Sequence, residues 1–316
     1  MKVGSSIRSR AGKCLVVLAV VAFATEARSL SLFRPFRPQG GTAFTVGVAE
    51  DGAYEAFSGI DERIPNVLRR RMGGLGLEQV KIYGMGRRRL QILIPGIDAE
   101  SRAKVRQSLQ RMGYLEFRLT HPRNRMLAED VLGSGKVPEG YVASASGDGF
   151  VRVGNYHEIA AREDYQARLA AFGKPPQGYQ FMLEKNKEGV YIPNYVSRKT
   201  ELTGEYLVSA CVERDQVGRP VVGFKLNSKG GNLMRKLTRN YIAYGAKNPT
   251  DQGRQLAIVL DGELISAPVL QSEMSTRGQI FGSFTIAEAQ RLANDLNAGA
   301  LPVPLEILAE DTWVEY

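Results

Sequence analysis

The chain is poor in the residues that most site chemistries require. It holds two cysteines and two histidines in 316 residues. Cys14 lies in a leader-like N-terminal segment, which leaves Cys211 alone, so a disulfide framework and a cysteine-rich metal site are both excluded. His121 and His157 form neither an HExxH motif nor a paired-histidine spacing, and no metal is expected. No GxGxxG follows a strand and opens a helix, so no dinucleotide cofactor is expected. Gly133-Ser134-Gly135-Lys136 fails as a phosphate loop. Asp130 stands where the earlier glycine is needed, and Val137 follows the lysine where Ser or Thr would reach a metal. The neighbouring acids Glu163-Asp164 and Glu310-Asp311 read as solvated surface. Counting alone leaves a Ser-His-Asp arrangement open, but the bland reading of either histidine is a surface or buried structural residue. The residues therefore point to a non-enzymatic protein with no catalytic group, cofactor or small-molecule substrate.

What is present is ordinary globular material. Hydrophobic residues make up 43% and charged residues 24%, too apolar for disorder, and the length suits about two domains. The net charge is +9, with 42 Lys and Arg against 33 Asp and Glu. The cations are scattered, with tight runs at Arg69-Arg70-Arg71 and Arg87-Arg88-Arg89, and no recognition motif accompanies them, so nucleic acid is not expected as a partner. Arg69 to Arg71 fall at the end of an expected helix, where cations complement the dipole.

The first residues carry Lys2, Arg8, Arg10 and Lys13, followed by an apolar run from Cys14 to Ala24 that ends in Ala22-Phe23-Ala24. This is the layout of a secretory signal peptide. The run would make a helix of roughly 16 Å against about 30 Å of hydrocarbon, so it suits a cleaved signal or a shortened anchor better than a full span. The expected location is extracytoplasmic, soluble or tethered at one end, with residues 1–38 as leader and linker.

Downstream, strands are expected at 42–48, 79–83, 90–94 and 114–120, with helices at 60–72 and from Asp98 to about 112. The order is β-α-β-β-α-β, the ferredoxin-like pattern within an α+β class. Residues 121–154 read as loop-rich, and Glu158 to Phe172 as one short charged helix. Tyr179, Phe181, Tyr191 and Tyr195 recur at strand-like spacing and read as core. Strands are expected at 206–213 and 220–226, followed by a helix that Asn227-Ser228 cap.

The most informative stretch is 256–308. Asp261-Gly262 joins two apolar runs and signals a hairpin with a type I′ turn. Thr285 and Glu288 stand at capping-box spacing, and Ala289, Leu292, Ala293 and Leu296 share one helical face. Gly299 suits the left-handed end of that helix, and Pro302 and Pro304 block its continuation.

The blocks LAIVLDGELISAPVLQSE, GQIFGSFT and LNAGALPVPLEIL resemble the SecD family of the bacterial Sec translocon. GRPVVGFKLNSKG, ELTGEYLVSACV, LQILIPGID and LEFRL add to the likeness. The positions that carry it are Gln39, Gly40, Gly41, Arg219, Pro220, Asp261, Gly262 and Gly299. The resemblance implies the first large periplasmic domain of that family. Its ferredoxin-like base would be 39–122 with a return strand in 301–316, and its mobile second subdomain, an α+β head, would be 123–300. It also implies emerging, unfolded secreted polypeptide as the partner, with Sec translocon membrane subunits nearby. Phe36-Arg37-Pro38 departs from the family's leucine-aspartate-leucine run. The sequence holds no counterpart of the family's proton-carrying membrane helices, so the expected role is translocation assistance without a proton path. The alternative is an envelope structural or assembly protein that retains the fold without a translocation role.

Overall fold

Alternating apolar residues build the first sheet. In the computed structural model, which describes residues 40–48, 62–86 and 88–314, β1 (Gly40–Val48), β2 (Lys81–Gly84) and β3 (Arg89–Pro95) pair antiparallel about β3. The expected leader over 1–38, together with Gln39, lies outside the described residues. Two helices, α1 (Arg63–Gly74) and α2 (Ala99–Gln110), share one core with the sheet. Ile64, Val67, Leu68 and Met72 of α1 and Val105 and Leu109 of α2 meet Phe44, Val46, Ile92 and Ile94 there. Pro65 sits in the first turn of α1, where its missing N–H costs nothing. Asp98 caps α2 by accepting the Ser101 amide at 2.7 Å, as its position before the apolar periodicity predicts.

The fourth strand of this base is the return strand, not the one at 114–120. The base sheet runs β14-β1-β3-β2, and its outer strand β14 (Leu305–Val314) comes from the far end of the chain. Strand β4 (Leu115–Thr120), expected to complete the base, instead lies inside the large second sheet between β11 and β8. The reason is visible in its burial. Leu115, Phe117 and Leu119 are buried on one face and Glu116 and Thr120 on the other, which requires a central strand rather than an edge with one wet face.

The rest of the chain forms the head. Its elements in order are α3 (Asn124–Gly133), β5 (Tyr141–Ala143), β6 (Phe150–Arg152), α4 (Tyr156–Ala160), α5 (Tyr165–Ala170), β7 (Tyr179–Lys185), β8 (Tyr191–Thr203), β9 (Leu207–Arg214), β10 (Pro220–Leu226), α6 (Ser228–Tyr241), β11 (Leu256–Leu260), β12 (Glu263–Ser266), β13 (Arg277–Ile280) and α7 (Ile286–Ala298). A seven-stranded sheet runs β12-β11-β4-β8-β6-β5 with β7 also on β8, and a three-stranded sheet runs β13-β10-β9. The β11–β12 hairpin has positive φ at both Asp261 (51°) and Gly262 (81°), as a type I′ turn demands. Its apolar face packs on β10 and α6 in one core with Ile258, Val222, Phe224, Met234 and Leu292, while its edge pairs with β4.

Two head segments differ from the sequence reading. Residues 124–133, within the stretch read as loop, are helical. Asn124 holds that helix down: its side chain donates to Asn194 and Gln255 and accepts the Tyr195 amide, three tertiary bonds that local propensity does not encode. The single helix expected over 158–172 is two short helices. Tyr156 and Tyr165 are nine residues apart, about half a turn out of phase on a continuous helix. The break between α4 and α5 lets both rings enter one cluster, with centroids 6.1 Å apart.

Candidate functional site

The elements of base and head meet at α7. Its capping box forms as the spacing predicts: the Glu288 amide donates to Thr285, and Glu288 accepts the Thr285 amide. One helical face buries Ala289, Leu292, Ala293 and Leu296 in the head core. The polar positions between them make the cross-links. Asn294 donates to the Gly74 carbonyl at the end of α1 at 2.7 Å. Asn297 accepts the Ala210 amide and donates to the Ala210 carbonyl, each at 2.7 Å, so its carboxamide occupies the place of a neighbouring strand along β9. Asp295 pairs with Arg111 at 3.3 Å. One helix thus grips the base through Asn294, the connection out of the base through Asp295, and the head through Asn297.

Arg71 lies beneath this helix and is 1% exposed. Its guanidinium donates to the carbonyls of Ser108 (2.7 Å), Arg111, Met112 (2.8 Å) and Gly299 (3.4 Å). The first three belong to the end of α2 and the turn after it, and the last to the residue that ends α7. Arg71 therefore supplies donors to carbonyls at two helix C-termini, where partial negative charge collects. The sequence placed Arg71 at the end of its own helix as a cation complementing that helix's dipole. Burial instead turns it inward to cap two other helices, and desolvation holds its pKa below the ordinary arginine value. Asp295 is pushed above the ordinary aspartate range by burial, partly offset by the fields of Arg71 and Arg111.

The sequence-marked residues divide between two places. Asp261, Gly262 and Gly299 come together at the junction. Asp261 accepts the amides of Gly113 (3.1 Å) and Tyr114 (2.7 Å), fastening the hairpin tip to the point where the chain leaves the base. Gly299 ends α7 with φ 86° and ψ 169°. Gly113 has φ 73°, and a Cβ there would stand 2.8 Å from the Arg71 guanidinium. Arg219 and Pro220 lie elsewhere, at the β9–β10 hairpin tip, where Arg219 pairs with Asp215 at 2.5 Å and Pro220 faces Arg214. Gly40 and Gly41 open β1, with Gly41 opposite Pro95. His121 accepts the Arg123 amide and packs edge-on against Tyr179, and burial lowers its pKa; His157 is exposed beside Tyr156. Sequence reasoning missed Arg71, Arg111 and Asp295 because their roles depend on partners far along the chain.

A cleft of about 1870 Å³ runs along this junction. Its lining includes Arg70 and Arg111 of the base, Tyr114 and Ile265, and Tyr191 and Phe284 of the head. Tyr114 is 42% exposed, unusual for a ring at the start of a buried strand. Among the described residues, no group of three or more His, Cys, Asp and Glu side chains converges as a metal site, and no helix is long and apolar enough to cross a membrane.

Known proteins share both the sequence and the fold. Residues 180–303 match the family SecDF, P1 head subdomain. The protein translocase subunit SecD of Sebaldella termitidis is 46% identical over 152 residues, 48% of this chain and 33% of that protein. The SecD of Magnetococcus marinus is 30% identical over 278 residues, 88% of this chain and 43% of that protein. The chain belongs to the SecD family. It spans less than half the length of these SecD relatives. Two solved SecDF structures share the fold. One, of SecDF in a super-membrane-facing form, has a TM-score of 0.56 at 20% identity and covers 95% of this chain and 35% of its own. The other, reported for a membrane component SecDF that enhances protein export, has a TM-score of 0.54 at 22% identity and covers 84% of this chain and 98% of its own. In this SecD-family chain, the junction residues Asp261, Asp295, Asn297 and Gly299 belong to the matched region, whereas Arg71 and Arg111 precede it.

Proposed function

We propose that this chain assists protein export from the extracytoplasmic side by holding an extended stretch of unfolded polypeptide in the cleft between base and head. The observation that carries the reading is the cleft itself. It is large, lined by both apolar and polar groups, and includes exposed aromatic and aliphatic side chains, Tyr114 and Val208 among them. An extended chain offers alternating side chains and unpaired backbone groups, and such a lining can meet both without reading a particular sequence. Membership in the SecD family supports export as the setting and Sec translocon subunits as neighbours. The reading needs no catalytic group and no cofactor. The lone Cys211 and the two separate histidines carry no role in it.

Photocrosslinking tests the proposal. A photoreactive residue at Tyr114 or Ile265, within the cleft, is expected to capture a translocating secreted chain in cells. The same probe at Val217, on an exposed turn away from the cleft, serves as the comparison. Equal capture from both positions, or capture from neither, would reject the cleft as the binding surface.

A further inference from the structure

We propose that Arg152, held over Tyr156 and Tyr191 in the wall of the cleft, anchors an acidic side chain of an extended polypeptide bound there. The proposal rests on the reading of the cleft as a polypeptide site and adds a chemical preference to it. Arg152 ends β6 and is half-buried. Its guanidinium carbon lies 3.9 Å from the Tyr156 ring centroid and 4.4 Å from that of Tyr191, and Nε donates to the Tyr141 hydroxyl at 3.5 Å. The rings brace one another edge to face, with Tyr141 5.4 Å from Tyr156 and 5.3 Å from Tyr191. All four side chains line the cleft.

What this cluster lacks is a counter-ion. Arg111, Arg118, Arg162 and Arg239 each pair with a carboxylate, but no carboxylate of the described residues pairs with Arg152. Glu263 also faces the cleft, and its field reaches Tyr191, yet it forms no ion pair with Arg152. An aromatic cage of this kind ordinarily attracts a cation from a ligand. Here the protein's own guanidinium occupies that place, so a second cation is repelled and an anion is attracted. Contact with both rings and the bond to Tyr141 restrain the guanidinium, and its terminal N–H groups suit the fork of a carboxylate better than a freely moving lysine would. Tyr141 accepts from Arg152 at Nε and so helps hold the guanidinium over the rings. Apolar lining groups such as Leu169, Met182 and Leu264 share the cleft and suit the residues flanking the acid. Tyr141, Arg152 and Tyr156 precede the matched 180–303 segment, and of the four side chains Tyr191 alone lies within it.

The test is fluorescence anisotropy with two labelled unstructured peptides that differ by a central Asp pair against an Asn pair. The wild-type chain is expected to bind the acidic peptide about tenfold more tightly. Arg152→Gln should abolish that preference, weakening the acidic peptide's binding far more than the neutral peptide's. Arg152→Lys should restore part of it, since an ammonium keeps the charge but not the stacked fork. Thermal unfolding of both variants reports whether the fold is intact, and if Arg152→Gln unfolds, Arg152→Lys carries the comparison by a loss of preference. An acid preference that persists in folded Arg152→Gln or is undiminished in folded Arg152→Lys, or an equal loss for both peptides, overturns the proposal. So does inorganic phosphate alone binding as tightly as the acidic peptide and displacing it. Equal binding of the two peptides by the wild type sinks the Arg152 assignment and leaves the cleft reading standing. Binding of neither peptide sinks both.

Discussion

Asp261 and Tyr114, 147 residues apart, hold each other through hydrogen bonds that run in opposite directions. The Tyr114 amide donates to the Asp261 carboxylate at 2.7 Å, and the Asp261 amide donates to the Tyr114 carbonyl at 3.0 Å. The residue that makes the type I′ turn possible is thus also the latch between that turn and the exit from the base. The two roles require different properties, tolerance of positive φ and an acceptor at the right height, and aspartate has both.

Substitution at Asp261 separates these roles. Asp261→Asn keeps the turn and one acceptor oxygen and should cost about 1 kcal/mol. Asp261→Ala leaves the Gly113 and Tyr114 amides without their acceptor and places a β-carbon at φ 51°, so the loss should reach about 2–4 kcal/mol. Urea unfolding monitored by circular dichroism would measure the difference. Equal loss in the two variants would mean that the latch, beyond the turn, contributes nothing.

Arg71→Met should be among the most damaging substitutions in the base. It strips donors from four carbonyls at helix ends that have few other partners, and a cost of roughly 3–5 kcal/mol is expected for breaking a buried charged network of this kind. Arg71→Lys should recover only part, because an ammonium cannot span carbonyls on two separate helix termini. Equilibrium unfolding of the two variants beside wild type is the measurement. A lysine variant as stable as wild type would show that the fork geometry does not matter.

Asp295 makes stability pH-dependent in a defined direction. Its pKa is raised in the folded state above the ordinary value of 3.8, chiefly by burial. Between those two values the folded chain binds more protons than the unfolded one, so stability falls as pH rises through that window. Asp295→Asn removes the term. Glu184, whose pKa burial also raises, adds a slope of the same sign that both proteins keep. The quantity to follow is therefore the stability of Asp295→Asn minus that of wild type, from about pH 3.8 upward. It should increase with pH and then level off. A difference that stays flat or decreases with pH would place the Arg111 pairing above the burial cost.

Gly299→Ala isolates backbone strain. No atom lies within 4 Å of the added Cβ, so crowding is absent, but φ 86° with ψ 169° is a region open essentially to glycine. A loss of about 1–3 kcal/mol is expected from strain alone. A neutral result would mean that the end of α7 relaxes, and the hydrogen bond from Arg71 to the Gly299 carbonyl should then be lost as well, visible as a non-additive Gly299→Ala, Arg71→Met double variant.

Local signals were the legible part of this protein. The Asp98 cap, the Thr285–Glu288 box, the Asp261-Gly262 turn and the positive φ of Gly299 all follow from bonds made within a few residues, and each forms where the spacing predicts. The apolar faces of α1 and α7 were likewise readable, because burial repeats with the helical period. Such signals were absent for α3, which is fastened by Asn124 to residues 70 and 131 positions away, and for the break between α4 and α5, which exists so that two tyrosines can share a cluster.

Strand membership shows where the sequence alone runs out. It determined that Leu115–Thr120 is a strand and that Leu305–Val314 returns after α7. Its alternation did not say which sheet each would join, and the family resemblance alone put the return strand in the base. Six residues of alternating pattern are compatible with either sheet, since period-2 alternation specifies which faces are buried and not which edge is paired. Tertiary structure decided it: β14 took the place beside β1, and β4 entered the head between β11 and β8. The same holds for the junction. The sequence supplied Asp261 and Gly299 through their backbone conformations, but the convergence of Arg71, Arg111 and Asp295 on them is set by packing alone. Charges buried together from distant positions leave no periodic trace in the chain.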